Sequence, residues 1–194
     1  MAVDPCAAGA SCDAAILATW ANFYVIVGSS AGALTGLMFV VITLVAGIER
    51  LRTSSDAVSA FSTPTIVHFC VALVVAASIS APWRRLEHVA GVLGIASLYG
   101  VVYVARITIS ARRQSVFQPE REDWIWYMIL PFVAYVLMLG SACALLWDAG
   151  PALFALAGTV VFLVLIGIHN AWDSVTYVAL GQYSQSSESS GRAE

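Results

Sequence analysis

Residues 14 to 48 read AAILATWANFYVIVGSSAGALTGLMFVVITLVAGI, 35 positions with no charged side chain. At 1.5 Å per residue such a run makes a helix ~52 Å long, against ~30 Å of bilayer hydrocarbon. Inside it Gly28, Gly32 and Gly36 form two overlapping GxxxG patterns. Small residues at that spacing let helix backbones approach closely in lipid, where apolar side chains gain nothing by leaving the hydrocarbon for one another. The chain therefore reads as an integral membrane protein whose first helix packs tightly on a neighbour. Glu49, Arg50 and Arg52 end the run, and Trp20, Phe23 and Tyr24 form an interfacial aromatic belt, which places the span near residues 20 to 48, tilted or projecting.

Composition points the same way. Hydrophobic residues make up 60% of the 194 and charged residues 11%, where an ordinary soluble domain carries about 25% charged residues. A soluble fold of this length would lack the polar surface to cover itself. The net charge of -3 is spread out, without the clustered basic face of a nucleic-acid partner. All nine basic residues are arginine, which excludes a lysine Schiff base and with it retinal or pyridoxal phosphate. No cofactor is expected.

Four further segments meet or approach the length of a span. The second runs over 64 to 81, with Thr63 and Pro64 as cap and first-turn proline and Pro82, Trp83 and Arg84 closing it. The third covers 88 to 106 and continues as helix to Arg113. The fourth, 124 to 147, follows the acidic turn Glu120, Glu122, Asp123, suited to a helix N-terminus, and is kinked rather than broken by Pro131. The fifth, 151 to 171, extends towards Leu180. The expected fold is thus an all-α bundle of five transmembrane helices over residues 20 to 180. Residues 1 to 19 form an extracytoplasmic segment, and 181 to 194, serine-rich and polar, a disordered tail.

Short cytoplasmic loops are enriched in arginine. With the N-terminus outside, the inner side receives Arg50, Arg52, Arg106, Arg112, Arg113, Arg121 and Arg192, and the outer side only Arg84 and Arg85. The C-terminus is therefore expected in the cytoplasm. Asp4 and Asp13, with no positive charge before the first apolar run, do not make a secretory signal. On the oxidising side Cys6 and Cys12 either close a small disulfide loop or remain free thiols. Cys70 and Cys143 fall within spans and act as small apolar residues.

Projected at 100° per residue, the first helix has two unlike sides. Gly28, Ser29, Gly32, Thr35, Gly36, Thr43, Ala46 and Gly47 share one arc, with Phe39 as a bulky intruder. Leu34, Leu37, Met38, Val41, Leu44 and Val45 lie opposite, facing lipid. The small side is a packing face within the bundle, an oligomer seam, or the wall of a conduit lined by hydroxyls. GSSAG at 28 to 32 matches the GxSxG nucleophile string, but that motif requires a strand, a sharp turn and a helix, not the middle of an apolar run. Neither HExxH nor GxxxxGK is present, and no enzyme activity is expected.

Ionisable residues at membrane depth cost free energy unless paired or hydrated. Glu49, His68, Arg106, His169 and Asp173 all fall at the inner level of the expected topology, with Asn170 beside them and a Tyr99, Tyr103, Arg106 stripe leading to it. His169 and Asp173 are four apart and share a helix face. The cluster admits three readings: a polar network tying helices together, a proton, ion or solute site at the mouth of a conduit, or metal or haem ligation by His68 and His169 with Asp173 or Glu49. His88, beside Glu87 at the other end, is interfacial.

WANFYVIVGSSAGALTGLMFVVITL (20 to 44), FSTPTIVHF (61 to 69) and GIHNAWDSVTY (167 to 177) resemble an uncharacterised family of small multi-pass bacterial integral membrane proteins. The resemblance implies a bacterial cytoplasmic membrane location and brings no activity with it. On the residues, the expected function is an oligomeric channel or transporter-like protein for an ion or small solute. The opposing expectation is a structural or regulatory subunit that transports nothing. The expected partners are the lipid bilayer and further copies of the chain.

Overall fold

A computed structural model of the chain describes residues 10–49, 56–113 and 121–191. Among them there are helices and no strands. Helix α1 is Ala10–Glu49, α2 Asp56–Ser80 and α3 Leu86–Arg113. Helix α4 occupies 121–144 in three parts: a first turn Arg121–Trp124, a π-helical segment Ile125–Ile129 and an α-helical segment Leu130–Ala144. Helix α5 is Ala149–Gly191. Four stretches are long and apolar enough to cross a membrane: Cys12–Thr43, Leu86–Ser110, Ile125–Ala144 and Ala149–Thr176. The apolar part of α2, Pro64–Ser80, is shorter. This is the build of a multi-pass membrane protein.

Helix α2 lies at the centre, packed on α1, α3 and α5, while α4 joins α3 to α5 and closes a four-helix bundle. Helix α1 lies outside that bundle, chiefly along α2. The burial pattern follows. Thr65, His68, Phe69, Ala72 and Val75 of α2 are all within 1% of complete burial, and its buried positions form one broad face, with Cys70, Leu73, Val74 and Ala77 exposed on the other side. In α3 the buried positions Leu86, Ala90, Leu93, Ser97, Gly100 and Val104 follow alternating three- and four-residue steps, as in coiled-coil-like packing, with Val89 buried beside them on the same stripe.

Three element boundaries differ from those read from sequence. Helix α2 begins at Asp56, so Pro64 lies inside the helix rather than in its first turn. Membrane helices tolerate this because neighbouring groups satisfy the freed carbonyl. Helix α1 begins at Ala10, ten residues before the expected span. Helix α5 continues to Gly191 through residues whose composition suits disorder, since extending an existing helix avoids the nucleation step.

Both ends of the bundle carry aromatic side chains. At the end marked by Asp13, Trp20 stands edge-on to Phe154 of α5 at 4.6 Å and Trp147 is 81% exposed. At the opposite end Arg112 lies 5.1 Å over Trp124, and Trp172 is 71% exposed. Trp124 and Trp147 are separated by ~35 Å of helix at 1.5 Å per residue, which suits two interfacial belts. The α2 to α3 turn is held by Trp83, whose ring N–H donates to Ser78 O at 2.6 Å. Asp13 Oδ2 accepts the Leu86 N–H at 3.2 Å and so caps α3 from α1.

Candidate functional site

The glycine face of α1 is split. A Cβ on Gly28 would lie 2.8 Å from Ala76 Cβ, and one on Gly32 would lie 3.3 Å from Leu73 Cδ1, so these two let α1 approach α2. A Cβ on Gly36 would meet nothing within 4 Å, and Ser29, Gly36 and Thr43 are exposed. The buried seam is instead Leu17, Tyr24, Ala31 and Met38, spaced by sevens, with Val27 between. This corrects the lipid-facing assignment of Met38, which is 4% exposed. A seven-residue repeat follows a neighbouring helix that crosses at a shallow angle, whereas the projection at 100° assumes a straight axis. Leu37 is exposed, as expected for a lipid-facing position. The hydroxyls of Ser30, Thr35 and Thr43 donate to the helix's own carbonyls at Ile26, Ala31 and Val40. Ser30 of the GSSAG string therefore sits within a continuous helix, not at a nucleophile elbow.

The site at the centre is built on α2. His68 Nδ1 shares a 2.8 Å hydrogen bond with the Tyr135 hydroxyl of α4, and both residues are buried. His68 Nε2 is buried with no hydrogen-bond partner. Leaving a buried polar atom unpaired costs about 1–3 kcal/mol. Tyr135 fits because residue 100 of α3 is glycine: a Cβ there would fall within the Tyr135 ring. Gly167 of α5 does the same for Phe69, whose Cε1 would lie 2.5 Å from an added Cβ. The ring and hydroxyl of Tyr135 thus join α2, α3 and α4 at one level. The sequence offers no local signal for Tyr135, because its two partners come from other helices.

A second polar group joins α4 to α5. The Leu130 N–H donates to Ile125 O, one residue further back than in an α-helix. The donor that an α-helical register would supply to Trp126 O is thereby taken, and the π register would require the N–H of residue 131, which is proline. Asn170 Nδ2 of α5 reaches that carbonyl at 3.5 Å. The Tyr127 hydroxyl lies 3.3 Å from Asn170 O and 3.2 Å from Asp173 Oδ2. His169 stacks on Trp126 with centroids 3.6 Å apart. Sequence reading found His169, Asn170 and Asp173 but missed Trp126 and Tyr127. Pro131 was the available signal, since π segments place otherwise helical side chains off their usual faces.

The remaining candidates are dispersed. Arg106 is exposed at the end of a stripe in which Tyr99 and Tyr103 stack 6.1 Å apart. Glu49 ends α1, and its side chain lies outside the described residues. Among the described residues no three of His, Cys, Asp and Glu gather as a group that could hold a metal ion, and His68, His169 and Asp173 are not brought together as one. Cys12 is disulfide-bonded and Cys6 lies outside the described residues, while Cys70 and Cys143 are free and exposed. Comparison with protein-family models, curated proteins and solved structures finds no match.

Proposed function

We propose that this multi-pass membrane protein is transporter- or channel-like and handles an ion or small solute at His68. The observation that carries the reading is a completely buried imidazole on the central helix, held by Tyr135 at one nitrogen and open at the other. Ionisable residues inside membrane bundles are rare and costly, and they mark substrate, ion or proton paths. The fuller picture has five spans, with α2 counted as a span, the N-terminus outside and the C-terminus in the bacterial cytoplasm, and copies associating in the cytoplasmic membrane. The arginine distribution supports the orientation. The contact of Trp20 with Phe154 and the capping of Leu86 by Asp13 support the alternation, since both bring the starts of odd-numbered helices to one end.

The test is flux through liposomes containing the purified protein. His68→Gln and Tyr135→Phe should abolish flux while insertion and assembly persist. Absence of flux from the unaltered protein under every imposed gradient would refute the reading. The second reading, a structural or regulatory subunit, is favoured by the filled core around α2, where Leu153, Leu156, Leu163 and Ile166 are all fully buried. It predicts a stable hetero-complex on pull-down and a His68–Tyr135 pair that matters only for stability.

A further inference from the structure

The first turn of α1 carries two attachments. Asp13 Oδ2 accepts the Leu86 N–H of α3 at 3.2 Å, and its neighbour Cys12, half-buried, is disulfide-bonded. The chain has four cysteines. Cys70 and Cys143 are free thiols, so within one chain the partner left to Cys12 is Cys6, outside the described residues. A disulfide holds its two Cα atoms within ~7 Å, whereas six residues of extended chain reach ~20 Å. A bond between positions 6 and 12 therefore ties the stretch before Ala10, where α1 begins, to the helix's own first turn.

The place of that turn in the bundle gives the bond two consequences. Helix ends fray, because the first four N–H groups have no partner inside the helix and the local cost of opening is low. Fraying at this end would carry the Asp13 carboxylate away from Leu86. A cross-link on the first turn opposes it and so keeps the carboxylate at the start of α3. The bond also marks a compartment, since disulfides form and persist on the oxidising side of a membrane and are rare in a reducing cytoplasm. That puts the Asp13 end of the bundle outside, on an argument that uses no arginine and agrees with the arginine distribution.

We infer that Cys6 and Cys12 form an extracytoplasmic disulfide that latches the first turn of α1 and keeps Asp13 on the start of α3. It forms by exchange with a protein disulfide of the oxidising compartment. The two thiols give up two protons and two electrons as the Cys6–Cys12 bond is made, and the donor's S–S bond breaks and takes them up as two thiols. The latch does not depend on what His68 does.

The test uses the full chain purified in detergent, with free thiols alkylated at lysis. Peptide mass spectrometry without reduction should find Cys6 joined to Cys12 within one chain, and only Cys70 and Cys143 alkylated. Reduction should then lower the apparent Tm by roughly 2–8 °C. Cys6→Ser should lower it by the same amount and abolish the response to reductant, while Cys70→Ser and Cys143→Ser should leave that response unchanged. In Asp13→Ala most of the reduction effect should vanish, because the latch then has no carboxylate to hold in place. Four alkylated cysteines, a bond between two chains, an unchanged Tm on reduction, or a reduction effect undiminished in Asp13→Ala would each overturn the assignment. Flux is not measured, so failure here leaves the His68 reading standing, and the converse also holds.

Discussion

Replacing Gly100 by alanine adds one methyl group where the Tyr135 ring lies against α3. In isolation the change favours the helix by up to about 1 kcal/mol, and by less where unfolded chains keep their helices in lipid or detergent. Against this, an ideal Cβ at position 100 overlaps three ring atoms of a side chain that is itself 0% exposed. Overpacking of that kind costs ~1–3 kcal/mol. Moving the ring also breaks its hydrogen bond with His68, and leaving the buried partners unsatisfied costs a further ~1–3 kcal/mol. The net expectation is a destabilisation of ~1–6 kcal/mol. Gly94, on the same helix with nothing within 4 Å of an added Cβ, is the matched control, where alanine should be neutral or slightly stabilising. Unfolding in mixed micelles, followed by tryptophan fluorescence, measures both. In a Tyr135→Leu background most of the Gly100→Ala penalty should vanish, the non-additivity expected of residues in contact. If Gly100→Ala is as stable as Gly94→Ala, or its penalty is undiminished in that background, Tyr135 does not pack on α3 as described.

Asn170→Ala should lower stability by ~1–3 kcal/mol by removing the donor to Trp126 O. Pro131→Ala, which restores an N–H at position 131, should reduce that loss; simple additivity of the two changes in the same unfolding assay would count against the π-register account. For orientation, a reporter fused after Leu180 should read as cytoplasmic and an impermeant thiol reagent should reach Cys12 from outside after reduction. A periplasmic signal from the fusion would reverse the proposed topology.

The helical architecture was legible because apolar run length is a local property. The stretch from Ala14 to Ile48 and the segments after Leu86, Ile125 and Ala149 announce themselves without knowledge of their neighbours. Side-chain roles were legible only where the partner lies on the same helix or the residue is rare at that depth. His68 stood out as an ionisable residue in an apolar span, and His169, Asn170 and Asp173 by their spacing. Tyr135 did not, because a tyrosine in a membrane helix is unremarkable until a histidine from α2 and a glycine from α3 are placed against it. The glycines show the same limit. The GxxxG pattern drew attention to Gly28, Gly32 and Gly36, of which Gly28 and Gly32 do meet α2, yet the closest approaches are at Gly100 and Gly167, each of which receives a ring from another helix. Met38 was misplaced because the helical projection knows nothing of the curvature of the helix it packs on.

The carboxylate of Asp13 caps Leu86, a residue 73 positions later in the chain. A ribosome adding 5–20 residues per second needs roughly 4–15 s to cover that interval. Throughout it α1 and then α2 can already enter the bilayer and pair through Gly28 and Ala76, but the Asp13 carboxylate has no Leu86 N–H to accept. The first helix to be made thus waits for the third before this capping contact can form, and a change at Asp13 would act on assembly through that contact only after the start of α3 has been synthesised.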